Sequence, residues 1–275
     1  MKDVSFMNMK REIKRDVFHT INFFNGKKNI NYGRVFYNSN EILYSLFESF
    51  DFKNKDIFSV MGSGDQIFHF INRGALNVDT FDINKLTKYY FCLRLWSIKY
   101  LNKYYPGSVN YDFISNLLSI VEVNSQFEKE AYIYWSILLK YLDHYNYEHI
   151  LINDEFSMSR NRIDDLEELK NKLNNKSFSF KNIDFSKNFN IDRNYDYIFL
   201  SNIKDWVCVD STYRNNIDKL LRPGGYVICS TLGSYGASSD EIMLLDMGYD
   251  YYELPDVYDG SFTDYQMPGY YFVKK

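Results

Sequence analysis

The chain has 275 residues and a formal net charge of −4, and 45% of it is hydrophobic and 19% aromatic. That is enough apolar material for one large domain with a sizeable insertion, and the acidic balance leaves no nucleic-acid footprint. No apolar run reaches the length of a membrane span, and the polar, charged N-terminal stretch does not read as a signal peptide.

Residues 1–30 set Lys10, Arg11, Lys14 and Arg15 against Ile13, Val17, Phe18, Ile21 and Phe24 at helical spacing. This predicts an amphipathic basic helix. It has two readings: part of a helical lid over residues 1–50, or a peripheral contact with an anionic membrane surface. Next comes Tyr37-Asn38-Ser39-Asn40-Glu41. Ser39 or Asn40 is placed to cap a helix whose apolar face is Ile42, Leu43, Leu46, Phe47 and Phe50. A polar, aromatic loop just ahead of the first strand is expected to lie across a ligand site. Tyr37 and Asn38 then either touch the ligand or serve as plain turn residues.

The stretch from Asp56 to Met61 is a short apolar strand. It breaks at Gly62-Ser63-Gly64 and continues into a helical pattern through Phe68 and Ile71. The apolar run Asn77–Phe81 follows and ends in Asp82. Strand, glycine turn, helix and a second strand closing on an acid make a βαβ unit of a nucleotide-binding, Rossmann-like sheet. Glycine lets the turn approach a ligand, and the helix N-terminus faces it. A carboxylate at the tip of the second strand, about 20 residues on, is placed for ribose hydroxyls. Only two glycines fit the dinucleotide fingerprint, and Asp65 stands where the next helix begins. Asp65 suits the helix dipole and free N–H groups, but it would repel a pyrophosphate. It is therefore either a simple N-cap or a mark of a cationic ligand without phosphate, such as S-adenosylmethionine.

Asn84 is placed to cap a long helix carrying Leu86, Tyr90, Leu93, Ser97 and Tyr100 on one face, with Pro106-Gly107 as its stop. Residues 108–175 do not alternate like strands, and an insertion is expected over about 101–175. The segments Phe113–Val121, Phe127–Leu142 and Ile163–Leu173 predict a helical insertion. His144 and His149 are five apart, a spacing that does not put two imidazoles on one helix face, so no metal site is expected. Ser177–Phe180 predicts the third strand, with Asp184 beyond its tip, near where an adenine amino group would lie. The fourth strand, from Tyr195, ends at Ser201 and Asn202, in the crevice outside the carboxyl ends of the strands. A helix from Thr212 leads to the turn Arg222-Pro223-Gly224-Gly225 and a strand Tyr226–Ser230. A helix over Ser239–Met247 and strands Tyr249–Leu254 and Tyr270–Val273 close the chain. Cys92, Cys208 and Cys229 show no paired spacing and read as reduced thiols of a cytoplasmic protein.

The glycine turn, the acid after the second strand, Tyr195-Asp196-Tyr197-Ile198-Phe199-Leu200, and Leu221-Arg222-Pro223-Gly224-Gly225 with a late hairpin together resemble the class I S-adenosylmethionine-dependent methyltransferase fold. The resemblance covers residues 51–100 and 176–275. It implies an α/β single domain with a seven-stranded, mainly parallel sheet, helices on both faces and an antiparallel last strand. A narrower likeness joins Tyr37 to Glu41, Ser63-Gly64-Asp65, Asp82-Ile83-Asn84 and Leu93-Arg94-Leu95. These look like the diacylglycerol 3-amino-3-carboxypropyltransferases of betaine-lipid synthesis. Asn40 stands where that family has a tryptophan.

The cofactor-binding set these resemblances imply is Tyr37, Gly62, Ser63, Gly64, Asp65, Asp82, Asn84, Asp184, Ser201 and Asn202. The implied activity is S-adenosylmethionine-dependent transfer to a small-molecule or lipid acceptor. Three readings stay open: 3-amino-3-carboxypropyl transfer, methyl transfer, and a non-catalytic module that keeps the fold. Asp205, Tyr235 and Tyr258 are the candidate bases for a hydroxyl nucleophile.

Overall fold

The structure is a computed structural model that describes residues 2–24, 35, 43–104, 111–145, 163–205, 207–230, 237, 239–254 and 269–275. Tyr37, Asn38, Glu41, Tyr235, Tyr258 and His149 lie outside them. In chain order the elements are α1 (Lys2–Phe24), α2 (Leu43–Leu46), β1 (Asp56–Val60), α3 (Asp65–Asn72), β2 (Asn77–Asp82), α4 (Thr87–Leu101), α5 (Tyr111–Ile120), α6 (Gln126–Tyr145), α7 (Leu166–Asn174), β3 (Ser179–Asn182), β4 (Tyr195–Ser201), α8 (Ser211–Leu220), β5 (Leu221–Ser230), α9 (Ser239–Ile242), β6 (Tyr249–Glu253) and β7 (Gly269–Lys274). The chain divides into two compact units. One takes Met1–Asn38, Met61–Gly64 and Ile83–Phe180; the other takes Ser39–Val60, Asp65–Asp82 and Lys181–Lys275.

The second unit is built on the sheet, whose seven strands run in the order β3-β2-β1-β4-β5-β7-β6. β1 pairs in parallel with β2 and β4, and β4 with β5. β7 is antiparallel to both β5 and β6. This is the expected seven-stranded α/β sheet with its antiparallel last strand. The central strands read as apolar runs because both faces are covered. On one face Phe47, just after α2, and Phe70 of α3 meet Phe199 edge-on, at centroid distances of 5.3 and 5.8 Å. On the other, Phe185 packs between Phe81 and Tyr213 of α8 at 5.1 and 5.4 Å.

At the amino ends of the strands the same unit carries an ionic clasp. Arg222 binds Asp56 and Asp196, each at 2.9 Å, and Arg193 binds Asp56 at 2.6 Å and Asp79 at 2.7 Å. The Arg222–Gly225 segment, expected as a turn ahead of the strand, therefore lies within β5 itself. Its guanidinium fixes the start of β5 to β1 and β4. The last predicted helix is also interrupted: α9 stops at Ile242, and Leu245–Met247 forms a separate 3₁₀ turn that ends at Gly248 with φ 87°.

The first unit is helical. Its core gathers Ile13 and Val17 of α1, Tyr89, Trp96 and Leu93 of α4, and Tyr134, Trp135 and Leu138 of α6. Tyr89 and Tyr134 stack at 4.0 Å. Two buried polar contacts hold α1 there: the Tyr89 hydroxyl donates to Asp16 Oδ2 at 2.6 Å, and Thr20 Oγ1 and the Tyr134 hydroxyl share a bond of 2.8 Å. Burial and the neighbouring Asp16 carboxylate push the Tyr89 hydroxyl well above its ordinary range, so it stays the proton donor. Ser125 caps α6: Glu128 N–H donates to Ser125 Oγ at 3.1 Å, and Glu128 Oε2 accepts from Asn124 N–H at 3.3 Å. α4 departs from the sequence reading at both ends. It starts at Thr87 without a side-chain cap and ends at Asn102, whose φ of 52° closes the helix in the left-handed form before Pro106.

Candidate functional site

Open α/β sheets bind ligands outside the carboxyl ends of their strands, where the chain reverses its winding. Here that point lies between β1 and β4, the central pair from which the order runs outward both ways. In the sheet unit, Val60 is in register with Phe81, so β1 and β2 finish together and Asp82 is the tip of β2. Asp82 is 8% exposed. Its backbone oxygen accepts from Ile183 N–H at 3.1 Å and from Asn182 Nδ2 at 2.9 Å. Those two bonds fix the backbone under the carboxylate without using the carboxylate.

Asp65 is the first residue of α3 and wholly buried. It is thus inside the helix's first turn rather than outside it as a cap. Beside it Gln66 Nε2 donates to the Val60 carbonyl at 2.7 Å, which ties the start of α3 back to the end of β1. Asp184 accepts from Ser186 N and Oγ at 3.1 and 2.6 Å and pairs with Lys187 at 3.0 Å. Partial burial pushes this carboxyl up, but the bonds from Ser186 and Lys187 outweigh that and hold it below its ordinary value.

Ser201 closes β4 with φ 54°. A non-glycine residue in the left-handed region carries about 1–2 kcal/mol of strain, and such strain gathers at functional sites. Ser201 Oγ lies 3.4 Å from Asn202 Oδ1, and the following 3₁₀ turn, Ile203–Asp205, is closed by Asp205 N–H on the Asn202 carbonyl at 3.0 Å. Asp205 itself is exposed.

In the helical unit the glycine turn is gripped from α4. Gly62 and Gly64 have φ of 47° and 86°. Gly64 N–H donates to the Met61 carbonyl at 2.7 Å. A Cβ on Gly64 would stand 2.6 Å from Phe91 Cδ2, so the glycine is required twice, by conformation and by space. Arg94, 3% exposed, donates from Nη1 to the Ser63 carbonyl at 2.9 Å and lies 5.1 Å over the Tyr104 ring. Asn84 turns inward on its own loop: its Oδ1 accepts from Leu86 N–H at 3.0 Å, and its backbone oxygen accepts from Thr87 Oγ1 at 2.9 Å.

The structure thus puts Asp65, Asp82, Asp184, Ser201 and Asn202 in the sheet unit and Gly62, Ser63, Gly64 and Asn84 in the helical one. Sequence reading missed Gln66, Phe91 and Arg94 as supports. Arg94 alone left a trace, as a buried-pattern cation inside the apolar run of α4. Among the described residues no group of His, Cys, Asp and Glu is arranged to hold a metal.

No protein-family model matches the chain, and no curated protein matches it. It is similar in structure to N-methyltransferase NodS from Bradyrhizobium japonicum WM9, with a TM-score of 0.40 and 10% identity over 85% of this chain and 92% of that one. It is similar to a TehB-like SAM-dependent methyltransferase from Corynebacterium glutamicum, with a TM-score of 0.43 and 10% identity over 96% and 99% of the two chains. The glycopeptide N-methyltransferase MtfA complexed with S-adenosyl-L-methionine gives a TM-score of 0.43 and 9% identity over 90% and 100%. At such identities no residue role passes from those proteins to this chain.

Proposed function

We propose that the chain is an S-adenosylmethionine-dependent transferase. The observation that carries this reading is Asp82, a nearly buried carboxylate at the tip of β2, on a backbone fixed by Ile183 and Asn182. A carboxylate there suits paired ribose hydroxyls. Asp65 in the first turn of α3 supports a ligand that brings no phosphate. A sulfonium with an ammonium group meets that condition, and a pyrophosphate does not. Asp184, beyond the third strand, suits the adenine amino group.

The chemistry asked of the protein is alignment. A nucleophile bonds to an activated carbon as the carbon–sulfur bond breaks, and the sulfur keeps the electron pair and becomes a neutral thioether. The nucleophile's proton passes to a base or to water. Alignment of this kind contributes roughly 7–11 kcal/mol in favourable cases. Attack on the methyl carbon releases S-adenosylhomocysteine, and attack on the γ-carbon of the methionine chain releases methylthioadenosine. The sheet suits either attack, because both reactions use the same cofactor. The 3-amino-3-carboxypropyl reading rests on Tyr37–Glu41, outside the described residues, and on Asn84, whose Oδ1 is engaged by Leu86 N–H. The acceptor is a small molecule or a lipid.

Calorimetry with S-adenosylmethionine tests the cofactor, and mass spectrometry of the nucleoside released with cell extract identifies the group moved. S-adenosylhomocysteine means methyl transfer; methylthioadenosine means aminocarboxypropyl transfer. Absence of binding overturns the reading, and binding without either product leaves a non-catalytic module.

A further inference from the structure

Three features that work against stability meet at the carboxyl ends of β4 and β5 in the sheet unit. The first is Ser201, held at φ 54°. The second is an ion pair taken out of water: Lys204 Nζ lies 3.5 Å from Glu241 Oε2, with side chains 5% and 1% exposed. Burying such a pair often contributes less stability than well-packed apolar side chains would. The third is the Tyr213 hydroxyl, fully buried and without a hydrogen bond among the described residues. Burial, then Cys229, Glu241 and Asp205, push that hydroxyl well up, so it remains protonated beside the pair.

The register explains why they meet. Ser201 of β4 is opposite Cys229 of β5, and Cys229 is opposite Tyr270 of β7. The Tyr270 hydroxyl donates to the same Glu241 oxygen at 2.7 Å, and the Lys204 ammonium lies 4.8 Å over the Tyr270 ring. Lys204 belongs to the 3₁₀ turn that follows Ser201 and Asn202. The path therefore closes on itself, from Ser201 across the sheet to Tyr270, up to Glu241, and through Lys204 back to the turn. A side-chain anchor two strands away holds the tip of β4.

We infer that Lys204 and Glu241 are positioning residues, which hold Ser201 and Asn202 in the conformation that meets the ligand. The inference rests on the cofactor reading above for its functional consequence and on the fold alone for the mechanical coupling. Departures from the stability optimum are expected at functional sites. Here the strained serine and the buried ion pair are linked to each other through a single carboxylate.

Two measurements test it. The first is thermal and needs no ligand. Ser201→Gly is made in the wild type and in the apolar variant Lys204→Met/Glu241→Leu/Tyr270→Phe. If the pair imposes the left-handed conformation, glycine relieves strain only while the pair is present. Its effect on Tm is then more favourable in the wild type by about 2 °C, the order expected for relief of one strained residue in a chain this long. Equal effects in both backgrounds overturn the inference. The second is calorimetric. The apolar variant is expected to keep a Tm near that of the wild type and to bind S-adenosylmethionine at least tenfold more weakly. Wild-type affinity in that variant overturns the inference. Should it misfold, Glu241→Gln, which keeps the acceptor for Tyr270 and removes the charge, replaces it in both measurements with the same expectations for coupling and affinity. If the wild type binds no S-adenosylmethionine, the cofactor reading fails, and the thermal coupling decides the positioning role alone.

Discussion

The Arg94 guanidinium of α4 donates to the Ser63 carbonyl at 2.9 Å, inside the helical unit, and so clamps the glycine turn from the side. A charge-assisted hydrogen bond of this kind contributes about 1.5–3 kcal/mol, and removing the donor leaves a buried carbonyl without it. Arg94→Met is therefore expected to lower stability by about that amount and to weaken S-adenosylmethionine binding with it. Urea denaturation and calorimetry on the same preparation check both. A variant as stable as the wild type shows that the clamp is dispensable.

Gly64 tests the same turn by space. At φ 86° an L-residue carries about 1–2 kcal/mol of strain, and the added Cβ would stand 2.6 Å from Phe91 Cδ2. Gly64→Ala is expected to destabilise by more than the conformational strain alone. Phe91→Leu opens the space, so the double variant should lose less than the two single losses added together. Strict additivity in denaturation midpoints would show that Phe91 moves aside without cost.

Much of the sheet was legible because its strands are apolar runs bounded by turn residues, and the βαβ unit announced itself at Gly62, Gly64 and Asp82. Part of what was not legible depends on partners far away in sequence. Arg222 reads as part of a turn, yet its partners Asp56 and Asp196 are 166 and 26 residues away and draw it into a strand. Asn84 looks like a helix cap because Asn favours caps, but its side chain satisfies Leu86 N–H two residues on, before the helix begins. Lys204 and Glu241 resemble ordinary surface charges, and only the register of three strands makes them a buried pair. For Asp82 and Ser201 the position at a strand tip followed from the pattern of alternation; Arg94 showed only as a cation inside an apolar run, and for Gln66 no local signal separates a support from a packed helix residue.

The clasp at the amino ends of the strands predicts a pH dependence. Partial burial raises the Asp56 carboxyl, but the bonds from Asn77 and Arg222 and the charge of Arg193 outweigh it, so its value lies below the ordinary 3.8. A depressed folded-state value contributes stability above the unfolded value and loses it as pH falls through the folded one. In the wild type this contribution is therefore expected to be present in full above pH 3.8 and to be lost progressively as pH falls below it. Arg222→Met removes one of the depressing partners. Its acid unfolding midpoint should rise, by a modest amount because Arg222 is 41% exposed and screened. Circular dichroism across an acid titration reads the shift, and coincident acid limbs would assign the clasp no role in it.

Membrane contact through α1 has fewer apolar residues to use than its sequence suggests, because Ile13 and Val17 are in the helical core. Met7 and Phe18 remain on the outside, 69% and 60% exposed, with Arg11 and Lys14 on the same stripe and Lys10 beside it. If the acceptor is a lipid, the protein should sediment with anionic vesicles at low salt and release at high salt, and Phe18→Glu should weaken the binding. Failure to sediment leaves α1 as a packed helix and favours a soluble acceptor.

Asp82→Ala is the substitution that bears most directly on the cofactor. Two of the bonds at this position run to its backbone oxygen, from Ile183 N–H and Asn182 Nδ2, and a change of side chain leaves them in place. A thermal melt first establishes that the variant is folded. The loss falls on the ligand: two ribose hydroxyls that would donate to a carboxylate meet a methyl group instead. Hydrogen bonds to a charged acceptor are worth about 1.5–3 kcal/mol, so affinity for S-adenosylmethionine should fall roughly 10- to 150-fold. Asp82→Asn keeps an acceptor and a similar shape but removes the charge, and should fall between the two. Calorimetry orders the three proteins. Equal affinity in a folded Asp82→Ala protein would remove Asp82 from the site, and with it the observation on which the cofactor reading stands.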